Sequence, residues 1–238
     1  MPTAENEFVQ VKPEHEQEGI IKYQLQFQKQ VLSENFFKRY SSSKTTTELL
    51  GELNNSRRVL KNKGLIGQDP SRYGGDGFGN ISTLVHDLTF LISGSQTGHL
   101  DVLSMQDLAI VDHFDIHLNR LTAYGLTQPS SESMTHGVCY QADASIKVVV
   151  HVHSPDIWQV SDALNLPFTE QSIPYGTPQM AQAVTELLKV HYHAGQVTLF
   201  AMKGHQDGIV VVGDSMESCT SSLLDCLDQS ISVKRHSG

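Results

Sequence analysis

The sequence predicts an α/β fold with one main domain, because helical segments alternate with short strand-like runs along its 238 residues. The strongest strand signal is residues 147–152, a β-branched run typical of a sheet covered on both sides. The strongest helix signal starts at Thr177, a predicted N-cap that is followed by Pro178 at the first helical position. A chain of this length can bury a sizeable apolar core.

Weaker signals define the remaining elements. Between residues 20 and 40, apolar residues recur at helical spacing, which predicts one helix broken near residues 33–35. The threonines at 45–47 offer an N-cap for a second helix, which stops at Gly64. A last helix is predicted to start near Asp214. Short apolar runs bounded by turn residues predict further strands at 88–92, 108–111, 197–202 and 209–212.

The beginning of the chain differs from the rest. Its first 18 residues are polar and charged, so we expect them to be poorly ordered, and the serines at 41–43 suggest a hinge. We therefore divide the chain into an N-terminal arm with one helix, residues 1–44, and a main domain, residues 45–238. The sequence contains no internal repeat and no low-complexity tract.

The charge balance argues against a nucleic-acid-binding protein. The formal net charge is −9 and the isoelectric point is near 5.7, whereas binding a phosphate backbone requires a basic face. A basic run does occur at residues 57–63, and we interpret it as the solvated face and last turn of a helix.

The remaining bulk features point to a cytoplasmic protein. The three cysteines, Cys139, Cys219 and Cys226, form no C-x-x-C pair, so we expect buried free thiols in a reducing compartment. The N-terminus has no apolar core segment of the kind that a signal peptide needs. No apolar run is long enough to cross a bilayer, so no membrane partner is expected.

A candidate metal site lies in the strongest predicted strand. His151 and His153 alternate there, so both side chains point to one face with their bases roughly 6.5–7 Å apart. Two imidazoles at this spacing can converge on one ion at about 2.0–2.1 Å each. The pair alone is a weak signal, because two hydrogen-bonded polar residues at a strand end give the same pattern.

Other residues strengthen the metal hypothesis. His205 lies in a sharp turn between two apolar runs, where a polar side chain has little other reason to occur. Glu132 can serve as a detachable ligand or as a general base, although a carboxylate at a helix start fits it equally well. His191 and His193 repeat the spacing near a helix end but lack a third partner, and we interpret the remaining histidines as surface or packing residues.

Taken in order, these residues resemble the class II aldolase and adducin-like family over roughly residues 49–227. Each landmark is weak on its own, and the ordered set is specific. The landmarks are GNIS at 79–82, Thr97-Gly98, PSSE at 129–132 with His136, VHVHS at 150–154, YGTP at 175–178, and His205.

The resemblance implies a three-layer α/β/α fold around a mostly antiparallel sheet. It also implies that His151, His153 and His205 hold one divalent ion, most often zinc in this family, and that Glu132 is the catalytic general base. Cobalt, manganese and iron stay open as alternatives to zinc. The family's phosphate-binding elements correspond to Asn80, Thr97, Gly98, Ser130 and Ser131. Glycine backbone and serine hydroxyls suit an anion, whereas the glycine-rich stretch at 74–79 also fits a flexible surface loop.

The function implied is a metal-dependent lyase of aldolase type that acts on a small hydroxylated carbonyl compound, expected to carry phosphate, through a metal-stabilised enediolate. A sugar-phosphate dehydratase or epimerase at the same site is the first alternative, and a non-catalytic oligomeric interaction domain is the second. Family members are commonly tetramers, which implies a homotetramer. Two departures concern the chemistry: the segment between His153 and Tyr175 has only 21 residues and offers no match for the family's tyrosine acid, and the loop at 93–98 is long.

Overall fold

The computed structural model describes residues 18–40 and 44–237. Within these ranges eleven strands and six α-helices follow one another along the chain. The strands are β1 (Gln24–Lys29), β2 (Gly67–Gln68), β3 (Gly77–Phe78), β4 (Asn80–His86), β5 (Thr89–Ser93), β6 (Leu108–Asp115), β7 (Arg120–Gly125), β8 (Val148–His153), β9 (Phe168–Thr169), β10 (Thr198–Met202) and β11 (Gly208–Gly213). The helices are α1 (Glu34–Phe37), α2 (Thr46–Asn62), α3 (Ser133–Ala142), α4 (Pro155–Gln159), α5 (Pro178–His191) and α6 (Met216–Ser237).

One nine-stranded sheet forms the centre of the molecule, in the order β1-β7-β6-β5-β4-β8-β11-β10-β9. Its strand pairs are antiparallel except at the two edges, where β1 lies parallel to β7 and β9 lies parallel to β10. The short strands β2 and β3 form a separate hairpin-like pair. β8 lies in the middle of the large sheet between β4 and β11, which places the strongest predicted strand at its centre.

Helices cover both faces of this sheet. The odd and even residues of β8 separate the two layers: Val148, Val150 and Val152 pack in a core with residues of α2 and α6, whereas Val149 packs with residues of α3 and α5. This alternation follows from the period of two along a strand. The predicted three-layer α/β/α fold with a mostly antiparallel sheet is therefore confirmed.

Local signals explain the helix boundaries. Thr45 and Glu48 form a reciprocal capping box at the start of α2, which ends just before Gly64 with its φ of 68°. At α5, the hydroxyl of Thr177 accepts a hydrogen bond from the amide of Met180, and Pro178 occupies the first turn. These helix starts were predicted from the same residues.

The predicted helix between residues 20 and 40 is wrong for most of its length. Residues 24–29 form β1, and only Glu34–Phe37 is α-helical. In β1, Leu25 and Phe27 alternate with glutamines, which is the period of a half-buried strand. Pairing along β7 outweighed the helical spacing that the neighbouring apolar residues suggested. The division of the chain at residue 44 stays a prediction.

Two further expectations concern single features. The expected disorder of the first residues and the hinge at 41–43 lie outside the described residues, apart from residue 18. All three cysteines are free and buried, as predicted. In the described part of the chain, no helix combines the length and the apolar character that crossing a bilayer requires.

Candidate metal centre and anion cavity

His151 and His153 are positioned by the central strand β8. Its ladder sets His151 opposite Asn80 of β4 on one side and opposite Val210 of β11 on the other. By alternation both histidines share the face of Val149, which is the face that α3 and α5 cover. His151 is completely buried and His153 is 1% exposed.

His205 reaches the same place from the turn between β10 and β11. Its backbone amide donates to Met202, and its carbonyl accepts from Gly208, so the turn is closed by hydrogen bonds on both sides. Glycine is required at position 204 of this turn, and position 208 leaves little room for a side chain. A Cβ on Gly204 would lie 1.8 Å from the carbonyl oxygen of Ile173, and one on Gly208 would press on the His205 ring at 3.2 Å.

The three imidazoles form one compact cluster. Their ring centroids lie 4.8–5.0 Å apart, and one nitrogen from each ring falls within 4.8 Å of the other two. The Nε2 atoms of His151 and His153 are 3.1 Å apart. Two nitrogens that bind one tetrahedral ion at about 2.0–2.1 Å lie roughly 3.3 Å from each other, so the spacing fits a shared ion.

The protonation and orientation of the rings also suit metal binding. Burial, together with the neighbouring His205, holds the pKa of both His151 and His153 well below the ordinary histidine value. The rings are therefore neutral, as metal ligands must be. Nδ1 of His151 lies 3.2 Å from the carbonyl oxygen of Ile209, which can accept a hydrogen bond from an Nδ1–H group and leave Nε2 as the ligand atom. The residues present fit a divalent ion.

Glu132 lies beside this cluster, at the N-cap of α3. It is 1% exposed, and its Oε1 is 3.8 Å from Nδ1 of His205. The hydroxyl of Thr135 donates to Oε2 at 3.1 Å, whereas Oε1 is buried without a hydrogen-bond partner among the described residues. Burial raises the pKa of this carboxyl group. A buried carboxylate with one uncommitted oxygen is suited to exchange a proton with a bound molecule.

The residues predicted to bind phosphate lie together. Asn80, Thr97, Gly98, Ser130 and Ser131 all line one small cavity, which the segment at 77–79 also borders. The stretch at 74–79 is a structured part of this wall, because residues 77–78 pair with β2. Gly79 has a φ of 73°, and a Cβ on Gly98 would lie 2.1 Å from the carbonyl oxygen of Gly67. We call this space the anion cavity, after the ligand that the sequence predicts for it.

Arg57 corrects the interpretation of the basic run at 57–63 as a solvated face. Its side chain is 2% exposed, and its Nη2 donates to the carbonyl oxygens of Thr97 at 2.7 Å and Leu100 at 2.8 Å. It thereby ties α2 to the loop that supplies Thr97 and Gly98. The neighbouring Arg58 is exposed, as expected for the rest of the run. The helical period placed Arg57 on the buried face, but nothing in the sequence names its carbonyl partners.

Glu18 is a second residue that the sequence did not reveal. Its Oε2 lies 2.8 Å from Nε2 of His205, and its Oε1 lies 3.7 Å from Nε2 of His153. Glu18 and Gly19 also line the anion cavity. The polar segment that contains Glu18 carries no pattern that distinguishes this residue from the acids around it.

The other residues singled out in the sequence lie at different distances from the histidine cluster. Tyr175 is 1% exposed and stacks on the His205 ring at a centroid distance of 4.2 Å. His136 lies in α3 and is completely buried, with its Nδ1 2.6 Å from the Ser82 hydroxyl. His191 and His193 are exposed at the end of α5, away from the cluster.

Comparison with known proteins concerns the family and the fold. The family model of the class II aldolase and adducin N-terminal domain matches residues 71–230. No protein of curated function matches the sequence.

Three solved structures illustrate the likeness in fold. L-fuculose-1-phosphate aldolase from Thermus thermophilus is 18% identical with a TM-score of 0.59, and the match covers 80% of this chain and 94% of that one. YgbL from Klebsiella pneumoniae, for which aldolase, epimerase or decarboxylase activity is proposed, is 20% identical with a TM-score of 0.59, over 81% and 91% of the two chains. A sugar-phosphate aldolase from Thermotoga maritima is 13% identical with a TM-score of 0.58, over 79% and 94%.

Proposed function

Because the chain belongs to the class II aldolase and adducin family, we propose that it is a metal-dependent lyase of aldolase type. Its substrate is a small hydroxylated carbonyl compound that carries phosphate. The fold and the family give the general class, and the geometry of the site supports the particular reaction.

One observation carries the proposal. The three buried imidazoles converge at a spacing that one ion can bridge, and the buried Oε1 of Glu132 lies 3.8 Å from one of them. A structural metal site has no need of a neighbouring carboxylate oxygen without a hydrogen-bond partner, whereas a reaction that moves a proton does. The cluster and the acid together support catalysis rather than metal storage.

Each protein group has a distinct task in this reaction. A divalent ion bound by His151, His153 and His205 would supply a Lewis acid for the carbonyl and hydroxyl oxygens of the substrate. Glu132 moves the proton at carbon through Oε1: it takes that proton in the direction of condensation and returns it to the carbon after cleavage. Its raised pKa makes it a stronger base than an exposed carboxylate. Burial of the whole cluster excludes bulk water from the reacting atoms.

The anion cavity supports a phosphorylated substrate. Its walls include glycine backbone, the Glu18 carboxylate, and the side chains of Asn80, Ser130 and Ser131, which can donate hydrogen bonds to phosphate oxygens. The Thr97 hydroxyl donates to the carbonyl oxygen of Gly94 and so shapes the wall. Arg57 fixes the Thr97 loop from behind, so the amides of that loop are held in place before the substrate binds. The net charge of −9 makes such local donors necessary for binding an anion.

Dehydration or epimerisation at the same site is the second candidate. YgbL, with a similar fold, is a proposed aldolase, epimerase or decarboxylase, and a proton-exchanging Glu132 serves epimerisation as well as cleavage. Cleavage of a carbon–carbon bond releases two carbonyl-containing fragments, whereas epimerisation keeps the carbon skeleton. Analysis of the products from a panel of ketose 1-phosphates and pentulose phosphates separates these reactions.

The decisive experiment combines metal analysis with that substrate panel. We expect one divalent ion per chain, and we expect Glu132→Gln to lower kcat/KM by about 10²–10⁴-fold while the ion is retained. Glu186→Gln, which removes an exposed carboxylate far from the cluster, is the matched control and leaves activity unchanged. Protein without stoichiometric metal, together with activity unaffected by His153→Ala, would overturn the proposal. Turnover that Glu132→Gln abolishes rules out a purely structural interaction domain.

The identity of the metal and the assembly are part of the same proposal. Imidazole ligands suit Zn²⁺, so we expect zinc in protein purified without added metal.

We also propose a homotetramer, because sites near subunit boundaries are common in this family. Light scattering at micromolar concentration tests this, and a monomer would contradict it.

A further inference from the structure

We propose that Glu18 is a fourth ligand of the ion, supplied by the N-terminal segment, and that a substrate must displace it to reach the metal. This inference rests on the proposed function, because it requires the histidine cluster to hold an ion. It adds to the metal site a residue that lies outside the 71–230 family match. It also means that a substrate reaches the ion only after the Glu18 carboxylate has left it.

The contacts of the Glu18 carboxylate carry the proposal. Each of its oxygens lies against a different imidazole of the cluster, Oε2 at 2.8 Å from His205 and Oε1 at 3.7 Å from His153. Both contacts are made to Nε2 atoms. Two donors that share a tetrahedral ion at about 2.0–2.1 Å lie roughly 3.3 Å from each other, and the two Glu18–imidazole distances, 2.8 Å and 3.7 Å, fall on either side of that spacing.

The burial of Glu18 points the same way. The residue is 8% exposed, and removing a carboxylate from water is costly unless positive charge compensates it. A divalent ion between the three rings and the carboxylate would supply such charge next to both oxygens of Glu18.

The segment that carries Glu18 is fixed by contacts to several parts of the molecule. The Tyr23 hydroxyl donates to the carbonyl oxygen of Ser130 at 2.7 Å. The Lys22 ammonium group donates to the carbonyl oxygen of Tyr175 at 3.1 Å and lies 3.7 Å from the centre of that ring. A Cβ on Gly19 would lie 2.4 Å from Nε2 of the Gln96 side chain, so the backbone at Gly19 approaches this side chain of the cavity wall closely. Glu18 is therefore held at the cluster by its neighbours in sequence.

The consequence is a site that is closed until a ligand opens it. Three histidines and one carboxylate complete a four-coordinate ion, whereas a catalytic ion keeps one position for substrate. Glu18 and Gly19 also border the anion cavity, so the same two residues lie where the substrate's oxygens and phosphate would bind. Substrate oxygens must take the place of the Glu18 carboxylate on the ion.

The first test measures metal binding and needs no substrate. The parent protein, the variant Glu18→Gln and the control variant Glu186→Gln are all prepared without metal. Each is titrated with Co²⁺ in competition with a chromophoric chelator, and its visible d–d spectrum is recorded. Glutamine keeps the size of the side chain and removes its charge. We expect Glu18→Gln to bind one Co²⁺ at least about tenfold more weakly, since loss of even an outer hydrogen-bond partner costs a metal site about 10–100-fold. We also expect its d–d bands to change in intensity, because a different ligand set surrounds the ion.

The outcomes separate this inference from the proposed function. Equal Co²⁺ affinity and an identical spectrum for the parent and Glu18→Gln would overturn the role of Glu18 and leave the histidine site intact. Failure of the parent itself to bind Co²⁺ would overturn the proposed function and the Glu18 ligand with it. His153→Ala, which removes one of the three imidazoles, gives the reference for a damaged site.

The second test measures displacement. Acetohydroxamate binds metal ions through two oxygens, and it is added to the Co²⁺-loaded parent and to loaded Glu18→Gln. If the carboxylate occupies the position that an incoming ligand needs, the variant binds acetohydroxamate roughly tenfold more tightly than the parent, a difference of about 1.4 kcal/mol. Equal acetohydroxamate affinities would show that Glu18 does not obstruct the ion and would overturn the displacement step.

Discussion

The two halves of the site are built in different ways. The histidine half stands mainly on β8, a buried central strand whose ladder bonds to β4 and β11 fix the direction of each side chain. The anion cavity is built largely from loops and strand ends, and its shape depends on close backbone approaches at glycines and on the buried Arg57. A strand tolerates the loss of one side chain because its neighbours and its ladder remain. A loop that one residue positions has no such reserve, so we expect single substitutions to damage the cavity half more.

The largest effect is expected at Gly98. Alanine there places a methyl group 2.1 Å from the Gly67 carbonyl oxygen, a clash with backbone that only a shift of the loop relieves. We expect Gly98→Ala to lower the free energy of unfolding by about 3 kcal/mol or more, measured by urea denaturation. Gly51→Ala is the control, because its methyl group meets nothing within 4 Å. Similar free energies of unfolding for the two variants would contradict the expectation that single substitutions damage the cavity half more than other parts of the molecule.

A smaller but still large effect is expected at Arg57. In Arg57→Met, the carbonyl oxygens of Thr97 and Leu100 lose their donor while they remain at a buried position. We expect a loss of about 2–3 kcal/mol in the free energy of unfolding, together with weaker binding of inorganic phosphate by calorimetry. Arg58→Met removes the exposed neighbour and provides the matched control. A phosphate affinity that both variants share with the parent contradicts the positioning role.

The histidine half gives a pH-dependent prediction through His136. Burial lowers the pKa of His136 to about 3 in the folded protein, from an ordinary value of 6.5. The unfolded chain therefore takes up a proton below about pH 6.5 that the folded chain does not, and stability falls as the pH falls through that range. Between pH 7.5 and 5, this residue should account for a loss of about 2 kcal/mol.

His136→Gln tests this value in metal-free protein. The three histidines of the cluster are present in both the parent and the variant, so their titration does not distinguish the two. We expect the variant to lose less stability between these two pH values than the parent loses. His193→Gln, at an exposed position, is expected to keep the parent's slope. An unchanged slope in His136→Gln would mean that other groups govern the acid sensitivity.

The smallest effect is expected at the ion pair between Asp101 and Lys61, a partly exposed counterpart of Arg57. Lys61 also lies in α2 and also contacts the cavity loop, through an ion pair of 2.7 Å with Asp101, whose side chain is 91% exposed. Exposed ion pairs contribute little because water and salt screen them. We expect Asp101→Asn to leave the thermal midpoint within experimental scatter, in contrast to Arg57→Met. A large shift would show that burial does not distinguish these two cations.

Local patterns and the ordered landmarks account for the parts of the fold and site that could be predicted from the sequence. The strand β8 and the convergence of His151 and His153 could be predicted, because alternation along a β-branched run fixes side-chain direction locally. The ordered landmarks identified the family and the antiparallel three-layer fold. The helix expected between residues 20 and 40 failed, because pairing with β7 involves residues about a hundred positions away and outweighed local spacing.

The family, the fold class, the limits of α2, the start of α5, and the three histidines with Glu132 as site candidates could all be predicted from the sequence alone. Only the tertiary structure revealed that Arg57 is buried against the cavity loop and that Glu18 lies on the histidine cluster. The contact between Glu18 and His205 joins residues 187 positions apart. Periodicity and capping encode how residues near one another in sequence are arranged, whereas such distant partners are brought together only when the sheet and its layers pack.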